Sequence, residues 1–337
     1  MRGKSLPAFA IAIALLLTAG ATRAEPVKIR AGWINVPASL IPILFAKPGI
    51  ATHEGKTYTW DPIYFSASGK QISAIATGDL DIAALGFSTV GIAIQNAGLT
   101  DLRIIADETR DGVPGYNSVE YRVLRDGPIK TVADLKGKVV ATNGIGAGVD
   151  IGMRTYLAHH NLLDKRDYTV IEAPFPTMLA ILTDHKADLV TATSPFKYRP
   201  DFEKTARTLF SLRDALGPSG LSFWTMREGF LQKNRAAVVD LLEDYVRVLR
   251  WYNDPKNHKE AVDIVAKFTK QPPEVLDGWA FTHKDYFRDL DAMVDMAAVQ
   301  KNIDAQVELG FLKQPLQISK YADLSLVKEA AARVKQR

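Results

Sequence analysis

The sequence reads Ile75-Ala-Thr-Gly-Asp-Leu-Asp-Ile-Ala-Ala-Leu-Gly-Phe-Ser88 in one place and Ile181-Leu-Thr-Asp-His-Lys-Ala-Asp-Leu-Val-Thr-Ala-Thr-Ser194 in another. Each stretch contains the end of an apolar-periodic helix, a polar turn, an aspartate that opens a short apolar run, and a hydroxyl residue where that run stops. This pattern predicts a helix that leads into a buried parallel strand. Ligands bind at the carboxyl ends of parallel strands, so we expect residues 86–89 and 193–196 to form matching halves of one site.

The neighbouring segments predict one α/β unit around each stretch. In the first unit we expect strands at 27–34, 58–65 and 81–86, with helices at 40–47 and 70–77. In the second we expect strands at 138–142, 168–173 and 188–192, with helices at 150–160 and 177–184. Alternating strands and helices predict parallel sheets with right-handed crossovers. Later segments at 236–253, 259–268 and 292–309 have helical spacing.

Two turn-rich segments separate these units. Periodicity breaks down between residues 103 and 125, and Asp111-Gly-Val-Pro-Gly115 is a strong turn signal. We therefore expect the chain to cross between lobes near 108–122 and to return near 208–222. The predicted division is residues 25–108 with 216–337 in the first lobe and residues 109–215 in the second.

The first 24 residues have the features of a secretory signal peptide. Arg2 and Lys4 precede an apolar run over residues 6–17, and small residues follow up to Ala24. The run is too short to span a membrane as a helix. The sequence contains no cysteine, so the mature N-terminus has no thiol for a lipid anchor. We therefore expect an exported, periplasmic chain that begins near Glu25.

Composition excludes several classes of function. Without cysteine, disulfides, thiolate metal sites and cysteine nucleophiles are excluded. The formal net charge is +4, and removal of the signal peptide with its three basic residues leaves +1. No block of basic residues stands out, so we expect no nucleic-acid partner and no anionic membrane surface as partner. No motif predicts a cofactor.

A glycine-rich turn lies between a predicted strand and helix in the second unit, at Asn143-Gly-Ile-Gly-Ala-Gly-Val149. The third glycine of a dinucleotide fingerprint belongs at position 149, where valine stands, so a nucleotide site is disfavoured. The turn predicts either a polar-group site made by amides at a helix N-terminus or a structural tight turn. Ser66 and Ser68 occupy an equivalent turn in the first unit, where Ser68 is either a ligand donor or a helix N-cap.

Candidates for catalysis are weak. Adjacent His159 and His160 point about a hundred degrees apart on a helix, and the other histidines have no ligand-spaced partner. An enzyme using the same cleft would need an acid or base at a strand end, and the nearest such residues are Asp107, Glu172 and His185. We expect a non-enzymatic protein without a metal.

Several phrases of the sequence resemble one family, the periplasmic solute-binding proteins of ABC transporters for nitrate, sulfonate, taurine and related ligands. The resemblance rests on phrases in a family-like order: Pro42-Ile-Leu-Phe-Ala-Lys47, Phe65-Ser-Ala-Ser-Gly-Lys-Gln71, Ala74-Ile-Ala-Thr-Gly-Asp-Leu-Asp-Ile82, Ile129-Lys-Thr-Val-Ala-Asp-Leu-Lys-Gly-Lys138 and Phe230-Leu-Gln-Lys-Asn234. It implies a two-lobed α/β fold of the type II periplasmic-binding-protein class, with two crossover segments and C-terminal helices.

The resemblance also implies which residues contact the ligand. The expected backbone donors and neighbouring polar side chains are Ser66, Ser68, Gly69, Asn143, Gly146, Ala147 and Gly148. The expected side-chain donors are Asn35, Ser88, Thr89, Thr193 and Ser194, and the expected apolar walls are Trp33, Phe87 and Trp224.

The resemblance further implies a monomer that closes by a hinge motion and presents a small-molecule ligand to a membrane permease. The second turn has more glycine and less serine and threonine than sulfonate-binding members, which disfavours a sulfonate. The sequence leaves sulfonate, carboxylate, nitrate-like and pyrimidine-like compounds as alternative ligands. A periplasmic enzyme and a ligand-sensing partner of a receptor are the alternative roles.

Overall fold

The computed structural model describes residues 25–336, so the predicted signal peptide lies outside the described residues. The strands in this range are β1 (Val27–Trp33), β2 (Tyr58–Tyr64), β3 (Ala83–Leu85), β4 (Leu102–Asp111), β5 (Glu120–Leu124), β6 (Lys138–Thr142), β7 (Tyr168–Glu172), β8 (Leu189–Ala192), β9 (Ala206–Ser211) and β10 (Ser219–Arg227). The helices are α1 (Ser68–Thr77), α2 (Phe87–Gln95), α3 (Gly148–His159), α4 (Met178–Thr183), α5 (Pro200–Thr205), α6 (Leu212–Leu216), α7 (Glu228–Tyr252), α8 (His258–Thr269), α9 (Pro273–Asp277), α10 (Met296–Glu308) and α11 (Ser325–Lys335).

The strands form two sheets with the same order. In the first sheet β2 pairs with β1 in parallel, and β10 lies antiparallel between β3 and β4. A parallel bridge between Ala31 and Ile82 joins the two groups, which makes the order β2-β1-β3-β10-β4. The second sheet has the order β7-β6-β8-β5-β9, with β5 in the place that β10 takes in the first sheet.

Both sheets are mixed. The six predicted strands, β1, β2 and β3 and likewise β6, β7 and β8, run parallel as the alternation of elements predicts, and all but β1 and β2 are joined in sequence through α-helices. In contrast, β5 and β10 are antiparallel to both of their neighbours. Each of these two strands enters its sheet from the other sheet, so no strand-helix-strand crossover within one sheet imposes a parallel direction on it.

The two sheets are joined by one apolar cluster that includes residues from both. Phe87 of α2, Tyr121 of β5 and Ile151 of α3 belong to it, and α2 packs against α3. A second cluster lies under α7, which buries Leu241, Tyr245 and other apolar residues of one face against the first sheet. The packing places the starts of α2 and α3 side by side.

Two predicted segments differ from the structure. Residues 40–47 form only a short 3-10 turn at Ile41–Ile43, because Pro42 has no amide hydrogen and Pro48 restricts the chain that follows. The segment 103–125 contains β4 and β5, which sequence periodicity missed because most of β4 is buried on both faces. The helix α2 was also missed, and Ser88 lies in its first turn rather than at a strand end.

The lobe boundaries stay a prediction. The expected boundary at 108/109 falls within β4, and the one at 215/216 falls within α6. In the range 25–336, no helix combines the length and the apolar character that crossing a membrane requires.

Candidate functional site

A cavity of about 110 Å³ lies where the carboxyl ends of four parallel strands meet. It is lined by Asn35 after β1, Gly86 after β3, Asn143 after β6 and Thr193 after β8, so both sheets contribute to it. The remaining lining residues are Ile34, Ala38, Ser39, Ser68, Ala84, Ser88, Thr89, Thr109, Ala147, Gly148, Val149, Phe175, Val119, Leu221, Ser222 and Tyr286. The cavity therefore lies at the strand ends to which the sequence argument points, and its role as a ligand site stays a prediction.

Three helices begin at this cavity, and in none of them does the side chain of the N-cap residue accept from the first amides, although Thr89 Oγ1 accepts from the Gly86 amide at the start of α2. The N-cap residues are Ala67 for α1, Gly86 for α2 and Ala147 for α3. The first amide groups of a helix have no partner within the helix, and the helix dipole places partial positive charge there. Three such termini at one cavity favour a ligand group with negative charge or strong acceptor character.

Two hydroxyl groups in the cavity wall lack a protein partner. Ser88 and Thr109 are both fully buried, and among the described residues neither Ser88 Oγ nor Thr109 Oγ1 has a hydrogen-bond partner. The carbonyl oxygen of the Asn143 side chain is also buried and has no hydrogen-bond partner among the described residues. Buried polar groups are normally paired, because an unpaired one loses its hydration without compensation. These atoms are therefore available to a ligand or to bound water.

Polar contacts across the cleft hold the two sheets together at the cavity. Asn35 Nδ2 donates to the carbonyl oxygen of Ser194 over 2.8 Å. The hydroxyls of Thr193 and Tyr286 lie 2.5 Å apart. A Cβ atom added to Gly148 would stand 3.2 Å from the Phe87 ring, a tight contact, so glycine at position 148 favours the close approach of α2 and α3.

Of the fifteen residues predicted to contact a ligand, eight line the cavity, and these are Asn35, Ser68, Ser88, Thr89, Asn143, Ala147, Gly148 and Thr193. Ser68 is the first residue of α1 rather than its N-cap, which is Ala67. Their roles in ligand binding stay a prediction.

Seven predicted residues lie outside the cavity lining. Trp224 is fully buried in the core, where its ring stacks on Tyr245 with centroids 4.0 Å apart. Trp33 packs edge-on against Tyr64 and Phe268. Phe87 is fully buried beside Gly148. Phe87 and Trp224 are thus packing groups of the core, whereas the half-buried Trp33 packs against two exposed rings, and none of the three lines the cavity.

The four others are polar or glycine positions. Ser66 and Gly69 are exposed and absent from the lining. Ser194 offers its carbonyl oxygen to Asn35 and its hydroxyl to Asn117, so it joins the sheets. The amide of Gly146 donates to the Asp150 carboxylate over 2.8 Å, which removes it as a ligand donor.

Sequence reasoning missed the lining residues Ser39, Thr109, Phe175, Ser222 and Tyr286. Ser39 and Ser222 both contact the buried carboxylate of Glu108 at 2.6 Å, through different oxygens. Only long-range packing brings β4, β10 and the loop after β1 together, and no local pattern signals it.

Within residues 25–336, no carboxylate, imidazole or amine side chain lines the cavity. Glu172 is exposed and accepts from the Ile145 amide, and His185 is exposed as well. Asp107 is buried outside the lining, beside Arg110. Burial raises the pKa of Asp107 to about 7, and the nearby guanidinium of Arg110 opposes that shift only partly.

His53 lies near two carboxylates, although the sequence shows no ligand-spaced partner for it. His53 Nδ1 is 3.7 Å from Asp240, and Nε2 is 3.3 Å from Glu243. Arg333 contacts both carboxylates, and Arg247 pairs with Glu243. The two guanidinium groups neutralise the acids, so this group of side chains is best described as an ion-pair network.

The two sheets of common order and the cavity between them define the chain as a type II periplasmic-binding-protein fold. A sequence profile of the NMT1-like family matches residues 22–266, and the chain belongs to that family. The family resemblance and the fold class expected from the sequence are confirmed.

Three solved structures illustrate the likeness. The alkanesulfonate-binding protein SsuA from Xanthomonas axonopodis pv. citri bound to MOPS has a TM-score of 0.70 at 17% identity, over 89% of this chain and 99% of that one. The periplasmic nitrate-binding protein NrtA from Synechocystis PCC 6803 has a TM-score of 0.69 at 17% identity, over 93% of this chain and 90% of that one. The desulfurization enzyme DSZB has a TM-score of 0.63 at 16% identity, over 91% and 99%. No curated protein sequence matches the chain.

Proposed function

We propose that this chain is the exported solute-binding component of an ABC importer, and that it is not an enzyme. In this role its two sheets close by a hinge motion on a small organic solute with an anionic or strongly polar group. The complex is then presented to a membrane permease. The NMT1-like family and the SsuA and NrtA neighbours support this role over the enzymatic one.

The observation that carries the proposal is the cavity itself. Its lining comes from both sheets, three helices begin there without capping by the side chains of their N-cap residues, and the buried hydroxyls of Ser88 and Thr109 have no partner among the described residues. A ligand that accepts from these groups contacts both sheets at once, so it stabilises the closed form over the open one. The volume of about 110 Å³ is well below the roughly 300–1,000 Å³ of drug-sized sites, which favours a small solute.

The likeness to DSZB makes turnover the alternative to test. The absence of cysteine from the sequence and of charged side chains from the described cavity lining supports binding without chemistry. Mass spectrometry of each ligand after prolonged incubation with the purified chain distinguishes the two roles. We expect the ligand to be recovered unchanged.

The central experiment is a binding screen by thermal shift and calorimetry with sulfonates, carboxylates, nitrate and pyrimidines. A ligand at about a hundred times its dissociation constant raises the free energy of unfolding by roughly 2.7 kcal/mol. The purified chain, free of co-purified ligand, serves as reference. A complete absence of binding across the screen would contradict the proposal.

The Ala147→Asp variant tests the helix termini directly. Ala147 is the N-cap of α3 and lines the cavity, and its extended backbone suits aspartate. The new carboxylate caps the free amides of α3, which stabilises the fold by about 1 kcal/mol, and its charge repels an anion. We expect anion binding to be lost. Ala147→Asn is the uncharged control, in which a weaker loss is expected, and equal affinities in both variants would argue against an anionic group at α3.

A further inference from the structure

Two serines that line the cavity are hydrogen-bonded to a buried carboxylate behind them. Glu108 of β4 is 1% exposed. Its Oε1 lies 2.6 Å from the hydroxyl of Ser39, and its Oε2 lies 2.6 Å from the hydroxyl of Ser222. Both serines line the cavity, whereas Glu108 itself does not. The carboxylate therefore acts on a ligand only through these two hydroxyl groups.

The geometry indicates that both serines donate to Glu108. Distances of 2.5–2.7 Å are typical of O–H···O⁻ bonds, in which the acceptor is ionised. An ionised carboxylate has no proton to give, so the hydroxyl protons of Ser39 and Ser222 must point toward it. Burial raises the pKa of Glu108, while the hydroxyls of Ser222 and Ser39 and the positive charge of Arg288 oppose that shift.

The direction of these protons decides what the serines offer to the cavity. A hydroxyl has one proton and two lone pairs. Ser39 Oγ also accepts from the Ile41 amide over 3.3 Å, which leaves it one lone pair. The Ser39 and Ser222 hydroxyls therefore present acceptors to a ligand, in contrast to the amide donors at the starts of α1, α2 and α3.

We propose that Glu108 is a positioning residue for specificity: it holds Ser39 and Ser222 as acceptors and so selects ligands that carry an N–H or O–H donor. This inference rests on the proposed function, because it concerns the same cavity. The ligand class is an amino- or hydroxyl-substituted acid, or an aminated heterocycle, rather than a bare anion. A ligand without a donor leaves the two oxygens buried and unpaired, and such unpaired groups are costly.

Near-isosteric ligand pairs test the proposal, because an amino group that donates hydrogen bonds replaces a methyl group; that amino group is a charged ammonium in the first two pairs and neutral in the third. The pairs are 2-aminoethanesulfonate with propane-1-sulfonate, 3-aminopropanoate with butanoate, and 4-aminopyrimidine with 4-methylpyrimidine, measured by calorimetry alongside nitrate. We expect the amino member of at least one pair to bind the wild-type chain about tenfold or more tightly than its methyl partner.

The Glu108→Gln variant removes a negative charge and changes the direction of one proton with little change of shape, so the pair of 4-aminopyrimidine and 4-methylpyrimidine, which are both neutral, is the decisive one. The amide nitrogen of glutamine donates to one serine, which then turns its own proton toward the cavity. We expect the tenfold preference to fall below about threefold. Glu120→Gln is the control for a carboxylate outside the cavity lining: Glu120 also binds a hydroxyl, that of Thr208, and in addition it pairs with Lys197 and Arg122. This control is expected to keep the wild-type preference.

The ratio of affinities separates this role from a structural one. A purely structural Glu108 would weaken both members of a pair equally in Glu108→Gln, and that result overturns the inference. Ser222→Ala, which removes one acceptor and keeps the carboxylate, is expected to reduce the preference as well, and it remains informative if Glu108→Gln does not fold. If the methyl partners or nitrate bind as tightly as the amino ligands, the inference about Glu108 is overturned and the proposed function stands. If no ligand of this set or of the wider screen binds, the proposed function is overturned as well.

Discussion

Asn35 Nδ2 donates to the carbonyl oxygen of Ser194 over 2.8 Å, and this bond joins residues 159 positions apart. Asn35 follows β1 of the first sheet, and Ser194 follows β8 of the second. Both residues stand at the carboxyl ends of parallel strands beside the cavity. Because the bond links the two sheets, we expect it, under the proposed hinge closure, to contribute to the free energy of closure and not to the folding of either sheet.

Replacement of Asn35 by alanine tests this role. Loss of one hydrogen bond costs about 0.5–1.5 kcal/mol, so we expect ligand affinity to fall roughly two- to twelvefold. The thermal stability of the ligand-free chain is expected to stay nearly unchanged, and small-angle scattering is expected to show a larger open fraction. Asn253→Ala is the control, because Asn253 Nδ2 donates to Leu249 within one helix. Equal affinity in Asn35→Ala and the wild type would contradict a role in closure.

Gly86 and Gly69 form a matched pair at the starts of two helices. A Cβ atom on Gly86 would stand 2.5 Å from the backbone oxygen of Leu221, whereas one on Gly69 would meet nothing within 4 Å. We expect Gly86→Ala to lower the free energy of unfolding by about 1–3 kcal/mol, because β10 must move away. Gly69→Ala is expected to be neutral or stabilising by up to about 1 kcal/mol. Urea unfolding of both variants provides the measurement. Similar free energies of unfolding for the two variants would show that β10 can move at little cost and would contradict the prediction.

The position of Trp224 in the core leads to a third prediction. Its ring lies between Tyr245 and Trp60, with centroids 4.0 and 5.7 Å away. We expect Trp224→Ala to lower the free energy of unfolding by about 3–5 kcal/mol, as large truncations in a core do. The half-buried Trp33 is the control, and Trp33→Ala is expected to cost less than half as much. If Trp224→Ala keeps wild-type stability but binds ligand more weakly, the result would contradict a core role and support the original prediction that Trp224 contacts the ligand.

The buried Asp107 predicts a pH dependence of stability. Its pKa of about 7 in the folded chain exceeds the value of about 3.9 for an unfolded aspartate. Between these values the unfolded chain releases the proton and the folded chain retains it, so the contribution of Asp107 to stability falls as pH rises from about 4 to about 7. Above about pH 7 the ionised group is destabilising.

We expect Asp107→Asn to flatten this part of the pH profile and to gain stability relative to the wild type as pH rises. Urea unfolding of both proteins between about pH 4 and about pH 8 measures the difference. Some slope is expected to persist, because burial also raises the pKa of Asp111, to about 6. Parallel profiles for the two proteins would show that Asp107 is not protonated in the folded chain.

The parts of the site that sequence reasoning found are those with a local cause. Ser88 and Thr193 follow short apolar runs, and Gly148 stands in a glycine-rich turn before a helix. A strand that ends and a helix that begins leave signals within about ten residues of each other. Because carboxyl ends of parallel strands meet at one sheet edge, such signals are sufficient to place these residues at the cavity.

No local sequence signal gives the positions of the aromatic residues or of the two serines that contact Glu108, Ser39 and Ser222. Trp224 and Ser222 lie two positions apart on β10, yet one is in the core and the other at the cavity. The register of β10 against β4 shifts between these positions, so simple alternation along the strand does not predict which side chain faces the ligand.

The repeated helix-to-strand pattern of residues 75–88 and 181–194 by itself determined two α/β units and the edge of each sheet at which a site forms. It did so because hydrophobic periodicity and turn chemistry act over a few neighbouring residues. Only the tertiary structure decided that β5 and β10 enter antiparallel, that Asn35 bonds to Ser194, and that Glu108 contacts two serines of the cavity. The three side-chain contacts join residues 69 to 159 positions apart, and no local pattern of the sequence encodes such contacts.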